Sequence, residues 1–327
     1  MAPDADARRA KRADPFHPLT SEQLGVGDGH DIYVESVGCA HGIPAVYLHG
    51  GPGSGCQPDH RRLFDPERFC AVLFDQRGAG KSRPKGGREA NTTQHLIADM
   101  EKIREKFGFA RWMVVGGSWG ATLALAYAQA HPERVSAMVL RATFLGTRKE
   151  IEEAFCDTLP RFYPHLSEDF LDVLPEEERR APLDNYWRRI LDPDPALHVR
   201  AARAWHDTER TLSEHTSSRT RLERPSINAS GTLPTTPFME AHYFINDCFM
   251  RPNQLLEDAG ELAGIPGIIV QGRYDLLCPP ATSYALAERW SDAEVRVVEG
   301  AGHTLYDPGV RDAVMRAIAD MASKTSK

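Results

Sequence analysis

Short apolar runs alternate with helical patterns along most of the chain. Residues 31–35 alternate between apolar and polar positions, which is typical of a strand with one exposed face. Continuous runs of apolar and β-branched residues recur farther on, and such runs indicate strands buried on both faces of a sheet. They lie at 45–49, 71–74, 112–115, 135–140, 267–271 and 295–298. The sequence therefore predicts a sheet that is largely buried.

Helical periodicity separates these strands. The clearest helix is predicted to begin at Asn91 as its N-cap and to end before Gly108, with apolar residues three or four positions apart between them. Further helices are predicted at 121–130, 282–290 and 310–321. Because strands and helices alternate, we expect an α/β fold with a mostly parallel sheet and helices on both faces.

The alternation stops between 146 and 264, where the chain is helical, irregular and rich in charge. A segment of this length between two strands is too long for a loop. It predicts a helical cap domain inserted over the carboxyl edge of the sheet, where open α/β sheets bind ligands. We therefore expect a disordered lead-in at 1–15, a main α/β domain formed by 16–145 and 265–327, and a cap at 146–264.

Composition narrows the class of protein. The 327 residues carry 39 Lys and Arg against 46 Asp and Glu, a formal net charge of −7, so a basic field for nucleic acid is missing. No apolar run approaches the roughly 18 residues of a membrane span. The six cysteines lack metal-site spacing and no export signal precedes them, which favours free thiols in the cytoplasm. We expect no metal, nucleic-acid or membrane partner.

The pentapeptide at 116–120 reads Gly-Gly-Ser-Trp-Gly and fits the pattern Gly-x-Ser-x-Gly. The pattern alone is weak, but here it follows a predicted strand and opens a predicted helix. A tight turn of this kind places the Ser118 hydroxyl at the positive end of the helix, at the carboxyl edge of the sheet. The alternative is a glycine turn with an incidental serine. The context favours Ser118 as a nucleophile.

A serine nucleophile needs a base and a group that orients the base. Asp275 and His303 follow the next two predicted strands, so both emerge at the same sheet edge as Ser118. Serine, acid and histidine in this order are typical of α/β hydrolases. Asp292 and Asp307 are the other nearby acids, but neither directly follows the strand at 267–271. The sequence predicts Ser118, His303 and Asp275 as a catalytic triad.

The segment His-Gly-Gly-Pro-Gly at 49–53 follows another buried strand. A glycine pair there lets a backbone N–H point at a developing oxyanion, together with the N–H that follows the nucleophile. This nominates Gly51 and Trp119 as oxyanion-hole donors, the alternative being a plain proline-glycine turn. The charged pair in Asp-Gln-Arg-Gly at 75–78 is interpreted as a brace for this loop.

These segments together resemble the proline iminopeptidases, serine peptidases of the α/β-hydrolase fold that release an N-terminal proline. The resemblance covers nearly the whole chain from about residue 15 and is strongest at 45–145 and 267–306. It implies an acyl-enzyme mechanism without cofactor or metal, and small peptides with a free N-terminal proline as substrates. The segments that carry it are HGGPGSG at 49–55, DQRGAGKS at 75–82, GGSWGATLAL at 116–125 and GRYD at 272–275.

Members of this family hold the free amine of the substrate with two cap glutamates. One lies in a Glu-x-His-Tyr-Phe segment, which matches the sequence that begins at Glu240. The other ends a Trp-x-x-Trp-Glu segment, matched here from Trp205 to Glu209 except that Thr208 replaces the second tryptophan. The resemblance thus implies Glu209 and Glu240 as substrate-binding residues, with Thr208 as a departure in the pocket.

Two alternatives remain open from the sequence. Thr208 and the divergent segment 150–184 would also suit an esterase, lactonase or amidase that keeps the sheet but has a remodelled cap. A catalytically silent receptor or scaffold on the same fold is the other alternative, although it would not need nucleophile, base, acid and oxyanion loop together. Labelling by an organophosphate would separate a silent pocket from an active one.

Overall fold

The computed structural model describes residues 14–223 and 233–325, so the predicted lead-in lies outside the described residues except for its last two positions. An eight-stranded sheet forms the centre of the molecule. Its strands are β1 (Thr20–Gly27), β2 (His30–Gly38), β3 (Ile43–Leu48), β4 (Phe69–Phe74), β5 (Trp112–Ser118), β6 (Val135–Thr143), β7 (Gly267–Gly272) and β8 (Ala293–Val298). Their spatial order is β1-β2-β4-β3-β5-β6-β7-β8.

The strands from β3 to β8 are all parallel, and β2 joins β4 in antiparallel register. The sheet is thus mostly parallel, and the predicted α/β-hydrolase fold is confirmed. Strand β1 pairs with β2 at the edge and was not predicted. Its first four residues, Thr-Ser-Glu-Gln, are exposed and polar, so no hydrophobic alternation marks it in the sequence.

Alternate residues of the central strands enter two different core layers. In β3, Val46 and Leu48 pack into the layer beside helices α1 (Thr93–Lys106) and α2 (Trp119–Ala130). Ala45 and Tyr47 pack into the opposite layer. That layer is closed by the C-terminal helix, residues 310–325. Burial on both faces explains why these strands are continuously apolar in the sequence.

Helix α1 begins one residue later than predicted. Its N-cap is Thr92, whose hydroxyl accepts a hydrogen bond from the backbone N–H of His95. Asn91 is instead buried, and its side-chain amide donates to the carbonyl oxygens of Arg77 and Gly87. The predicted N-cap was therefore wrong, because the Asn91 side chain fastens a neighbouring loop rather than the helix.

Helices fill the segment between β6 and β7. They are α3 (Arg148–Glu152), α4 (Leu159–Phe162), α5 (Pro164–Leu171), α6 (Pro182–Leu191), α7 (Pro195–Ser213), α8 (Thr236–Phe244) and α9 (Gln254–Glu257). Two further helices, α10 (Pro280–Arg289) and α11 (Val310–Thr325), follow strands β7 and β8 in the chain. A π-helical stretch, Glu153–Thr158, joins α3 to α4. The helical segment between β6 and β7 supplies several of the side chains that line the cavities beside Ser118.

An aromatic cluster holds these helices together. The indole of Trp205 on α7 stacks on Phe155 with ring centroids 4.3 Å apart, and Phe170 stacks on Tyr186 at 4.0 Å. Phe244 on α8 packs against the same indole. Aromatic rings bury large areas and prefer defined geometries, so the cluster fixes α7 and α8 relative to each other.

All six cysteines carry free thiols. Within the described ranges, no helix is both long and apolar enough to cross a membrane. Among the same residues, no three His, Cys, Asp or Glu side chains are grouped so that they could hold a metal ion.

Candidate active site

Ser118 occupies a sharp turn between β5 and α2. Its backbone has φ 56° and ψ −128°, a conformation that costs a non-glycine residue about 1–3 kcal/mol and is typical of functional sites. The turn is tight because Gly120 lies against the carbonyl oxygen of Leu48, where any Cβ atom would overlap it. The predicted strand-turn-helix context is present, and Ser118 lines two adjoining cavities.

The imidazole of His303 is paired with the carboxylate of Asp275. Nδ1 of His303 lies 2.9 Å from Oδ2 and 3.0 Å from Oδ1 of Asp275. Oδ1 also accepts hydrogen bonds from the backbone N–H groups of Leu277 (3.0 Å) and Cys278 (2.8 Å). His303 lines the same cavity as Ser118. The structure thus brings the three residues of the predicted triad to one sheet edge.

The loop that carries His303 is fastened on both sides. The Asp307 carboxylate accepts hydrogen bonds from the N–H groups of Gly302 (2.8 Å) and Thr304 (3.3 Å). The Arg141 guanidinium donates to the carbonyl oxygen of His303. Asp307, one of the two other nearby acids, therefore bonds to the backbone around the histidine.

Asp292, the second of those acids, lies at the opposite end of β7. Its carboxylate accepts a hydrogen bond from the N–H of Gly264 at 2.8 Å, just before the strand begins. It therefore belongs to the amino edge of the sheet, and Asp275 is the acid that pairs with the histidine.

The two candidate oxyanion donors flank the nucleophile. Gly51 follows β3 with φ 105°, a conformation open to glycine, and it lines both cavities with Ser118. Trp119 is the first residue of α2, so its N–H is one of the four that lack a partner within the helix. Its buried indole donates to the Gln76 side chain at 2.8 Å.

Residues 75–77 hold this loop and its surroundings. The Asp75 carboxylate accepts from the N–H groups of Cys56 (2.6 Å) and Lys81 (2.8 Å). Gln76 donates from its side chain to the carbonyl oxygen of His49 at 3.0 Å. Arg77 does not share this task, because its guanidinium pairs with the buried Asp99 at 2.7 Å. The interpretation of 75–78 as a brace thus applies to the aspartate and glutamine, whereas the arginine fastens α1.

An apolar pocket of about 40 Å³ opens on one side of Ser118. Burial raises the pKa of the Cys278 thiol in its wall well above the ordinary value, so this thiol is neutral at pH 7. Rings and aliphatic side chains form most of the pocket wall, and Glu150 and Glu209 also line it. Its apolar walls are formed by Phe144, Ile151, Ala154, Phe155, Trp205, Phe244 and Leu277.

A larger polar cavity, of about 330 Å³, opens on the other side. It meets the apolar pocket at Gly51, Ser118, Glu209 and Leu277, so Ser118 stands at the junction. Its polar walls are formed by Tyr47, His60, Arg141, Glu209, Glu240, His303 and Thr304, with Tyr306 and Arg210 near its rim. Burial lowers the pKa of His60 to about 3, so that imidazole is neutral.

Glu209 on α7 and Glu240 on α8 reach this cavity together. Glu240 is fully buried, and its Oε2 accepts a hydrogen bond from the Trp205 indole at 2.7 Å. Its Oε1 is buried as well and accepts no hydrogen bond from the described residues. Burial, and next the neighbouring Glu209 carboxylate, raises the pKa of Glu240 well above its ordinary value.

Burial also raises the pKa of Glu209, although its interactions with Glu240 and His303 oppose this. Neither glutamate forms an ion pair with a lysine, arginine or histidine among the described residues. Two adjacent carboxylates that lie mostly out of water without a cation repel each other and lose hydration. The arrangement is therefore suited to a cation that comes from outside the chain.

Thr208 takes the place where the resemblance leads one to expect a tryptophan. Its side chain is fully buried in α7, and its hydroxyl has no hydrogen-bond partner among the described residues. The residue is thus packed within the helical layer, while Trp205 lines the apolar pocket and Glu209 lines both cavities.

Sequence reasoning missed Arg141. The Arg141 guanidinium lies beside Gly117, and a Cβ atom on that glycine would come within 2.6 Å of Nη2. The second glycine of the pentapeptide thus leaves room for the guanidinium of an arginine on the neighbouring strand β6. Gly117 occupies a variable position of the pattern Gly-x-Ser-x-Gly, and this extra glycine was the signal in the sequence for a close neighbour there.

Comparisons with known proteins bear on the family of the chain. A family described as alpha/beta hydrolase fold matches residues 44–310. A proline iminopeptidase of Xylella fastidiosa strain 9a5c is 42% identical over 305 residues, which cover 92% of this chain and 96% of the relative. A proline iminopeptidase of Arabidopsis thaliana is 41% identical, with 90% of this chain and 78% of the relative covered.

Solved structures show the same fold at much lower identity. A proline iminopeptidase of Mycobacterium smegmatis superimposes with a TM-score of 0.60 at 17% identity, covering 93% of this chain and 99% of the other. A carboxylesterase of Nitrososphaera gargenis superimposes with a TM-score of 0.63 at 17% identity, covering 93% and 100%. The relatives at about 40% identity decide the family within this fold: the chain belongs to the proline iminopeptidases, a family of α/β hydrolases.

Proposed function

We propose that this protein is a serine exopeptidase that releases proline from the free amino terminus of small peptides. The observation that carries the proposal is the pair formed by half-buried Glu209 and fully buried Glu240, which lies beside Ser118 and forms no ion pair with a cation of the described residues. A protonated N-terminal proline is a secondary ammonium with two N–H donors, one for each carboxylate. Charge-assisted hydrogen bonds of this kind are short and strong.

The binding of proline follows from the two cavities. The pyrrolidine ring occupies the apolar pocket, whose aromatic and aliphatic walls exclude water from the ring. The ammonium reaches Glu209 at the junction and Glu240 in the adjoining polar cavity, and the rest of the peptide extends into that cavity. A substrate with a blocked amine would leave the carboxylates without a partner, which makes the site specific for a chain end.

The chemistry is assigned to the predicted triad. Ser118 Oγ attacks the carbonyl carbon of the proline residue while Nε2 of His303 takes its proton. Asp275 accepts from Nδ1–H and so holds the imidazole in the tautomer that can act as a base. His303 then gives the proton to the leaving amine, and the acyl-enzyme forms as the peptide bond breaks. A water activated by His303 hydrolyses the ester and restores Ser118.

Charge on the tetrahedral oxygen is stabilised by backbone donors. We assign this role to the N–H groups of Gly51 and Trp119, which flank Ser118 on two sides. Asp75 and Gln76 fix the loop that carries Gly51, so the donors are held in place before substrate binds. No metal or organic cofactor takes part in these steps.

The helical segment 146–264 is assigned as the cap domain of this enzyme. It contributes Trp205, Glu209, Glu240 and Phe244, while the sheet contributes the nucleophile, the base and the acid. The free thiols suit a reducing compartment, and we place the reaction in the cytoplasm.

A panel of amino-acid anilides and a simple aryl ester tests the proposal with the purified protein. Proline anilide should be hydrolysed with a far higher kcat/KM than leucine anilide or the aryl ester. An enzyme that hydrolyses the aryl ester efficiently but not proline anilide would instead be an esterase with a remodelled cap. Failure of an organophosphate to label Ser118 would indicate a silent pocket and would also overturn the proposal.

A further inference from the structure

Arg141 is a charged side chain of the polar cavity to which the reaction as described assigns no contact with substrate. It lies on β6 and lines the cavity together with Ser118 and His303. One of its N–H groups donates to the carbonyl oxygen of His303, and the guanidinium lies flat beside Gly117. The side chain is thus held next to the nucleophile on the side away from the apolar pocket.

The charge of Arg141 is not neutralised within the described part of the chain, where no carboxylate lies at ion-pair distance from it. Arg77 differs from Arg141 in this respect, because its buried guanidinium makes two hydrogen bonds to the Asp99 carboxylate. A guanidinium offers five N–H donors in a fork that matches a carboxylate. Arg141 therefore presents free donors and a positive charge to the cavity.

The distance from the reacting bond limits what can reach this charge. Gly117 directly precedes Ser118, so a guanidinium beside it lies within about one residue of the attacked carbonyl carbon. Consecutive Cα atoms of a peptide are about 3.8 Å apart. The residue that follows proline would therefore bring its own carboxyl group near Arg141, whereas a longer peptide would present an uncharged amide there and carry its terminal carboxylate farther away.

We propose that Arg141 binds the free carboxylate of the residue after proline, so that prolyl dipeptides are the preferred substrates of this enzyme. The inference rests on the proposed release of N-terminal proline and specifies its substrate class. The site then matches a zwitterion, with Glu209 and Glu240 at the ammonium end and Arg141 at the carboxylate end. The polar cavity, of about 330 Å³, lies at the small end of the range of ligand sites, which suits a short peptide.

The test compares three substrates on the wild-type protein: proline anilide, prolylglycine and prolylglycinamide. Prolylglycinamide differs from prolylglycine only in that an uncharged amide replaces the terminal carboxylate. We expect kcat/KM for prolylglycine to exceed that for prolylglycinamide by about tenfold or more, the factor that one charge-assisted hydrogen bond supplies. A fourth substrate, prolylglycylglycine, should be hydrolysed with a kcat/KM close to that of prolylglycinamide. Because these comparisons use one protein, they do not depend on the folding of any variant.

Arg141→Met then tests whether the preference for prolylglycine depends on Arg141. The variant should bring the ratio of prolylglycine to prolylglycinamide close to one, even if all three rates fall because the His303 loop loses a hydrogen bond. Arg296→Met removes the same charge from an exposed ion pair on β8 and should keep the wild-type ratio. If Arg141→Met does not fold, the more conservative Arg141→Lys should reduce the ratio without abolishing it.

Each outcome has a distinct meaning. A wild-type ratio near one, or a high ratio that Arg141→Met leaves unchanged, would overturn the role of Arg141 while proline anilide hydrolysis still supports proline release. No turnover of proline anilide would instead overturn the proposed function itself.

Discussion

Two buried carboxylate sites of this protein differ in how their charge is satisfied. Asp275, at the end of β7, accepts hydrogen bonds from two backbone N–H groups and pairs with His303. Glu240, on α8 in the cap, accepts one hydrogen bond from Trp205 and faces the Glu209 carboxylate. The sheet completes its site from its own chain, whereas the cap brings two carboxyl groups together without a cation from the described residues.

The difference separates positioning from recognition. A carboxylate that orients a base must be held in one geometry before the substrate arrives, and backbone donors provide this. A carboxylate that recognises an ammonium must remain unpaired until the substrate binds, and the folded protein bears the cost of desolvating it. The cap carboxyl groups are therefore expected to destabilise the free protein and to bind a substrate ammonium tightly. The Asp275 site is expected to keep the same geometry in the free and the substrate-bound protein.

Removal of the nucleophile should produce the largest effect. Ser118→Ala is expected to lower kcat for proline anilide by roughly four to six orders of magnitude, as in other enzymes with a serine triad. Ser323→Ala, an exposed serine on α11, should be fully active. Initial rates with active-site titration measure this, and a Ser118→Ala protein that retains substantial activity would contradict the mechanism.

The sheet carboxylate comes next. Asp275→Asn keeps the shape but holds the imidazole in the wrong tautomer, so kcat should fall by about 10⁴. Asp292→Asn serves as the control, since Asp292 bonds to Gly264 at the opposite edge of the sheet and should leave kcat near the wild-type value. Equal losses in the two variants would mean that Asp275 has no special relation to His303.

The sequence predicted the buried strands of the sheet far better than exposed strands or contacts between elements. Strand ends that carry Ser118, Asp275 and His303 could be located because buried parallel strands have a distinct apolar pattern and meet at one edge. The exposed edge strand β1 lacks that pattern and was missed. The placement of Asn91 depends on loop carbonyls that only the tertiary structure brings near.

The cap glutamates show the limit of prediction from local pattern. Glu209 and Glu240 belong to different helices, and no periodicity indicates that their side chains meet. Only the family resemblance pointed to them. Arg141 was missed for the same reason, since its contact with Gly117 joins two strands. Chemistry at a single strand end can be read from the sequence, but contacts between elements depend on packing.

Neutralising the cap pair should stabilise the protein. The raised pKa of Glu240 means that the folded state holds a proton that the unfolded state releases, so stability falls as pH rises above the ordinary glutamate pKa. Glu240→Gln should therefore raise the free energy of unfolding by about 1 kcal/mol or more at pH 8, and by less at pH 5. Urea unfolding at both pH values measures this, with Glu168→Gln, an exposed glutamate, as control.

A loss of stability in Glu240→Gln that grows with pH would contradict the view that the buried pair lacks a compensating cation. It would also remove the contrast with Asp275, whose charge is satisfied within the fold.

The smallest effect is expected at Thr208. Because its buried hydroxyl has no partner among the described residues, Thr208→Val keeps the shape and removes a desolvated polar group. The free energy of unfolding should rise by up to about 1 kcal/mol, and kcat/KM for proline anilide should change less than twofold. Thermal unfolding and steady-state kinetics check both values. A large loss of activity would mean that Thr208 acts at the site after all.

The most direct test of the central claim, that the cap glutamates await a substrate ammonium, compares proline anilide with N-acetylproline anilide on the wild-type and Glu240→Gln proteins. The wild type should favour the free amine by at least about 100-fold in kcat/KM, as expected for two charge-assisted hydrogen bonds. The variant should lose most of this preference through slower hydrolysis of the free amine. Equal hydrolysis of both substrates by the wild type would contradict the account.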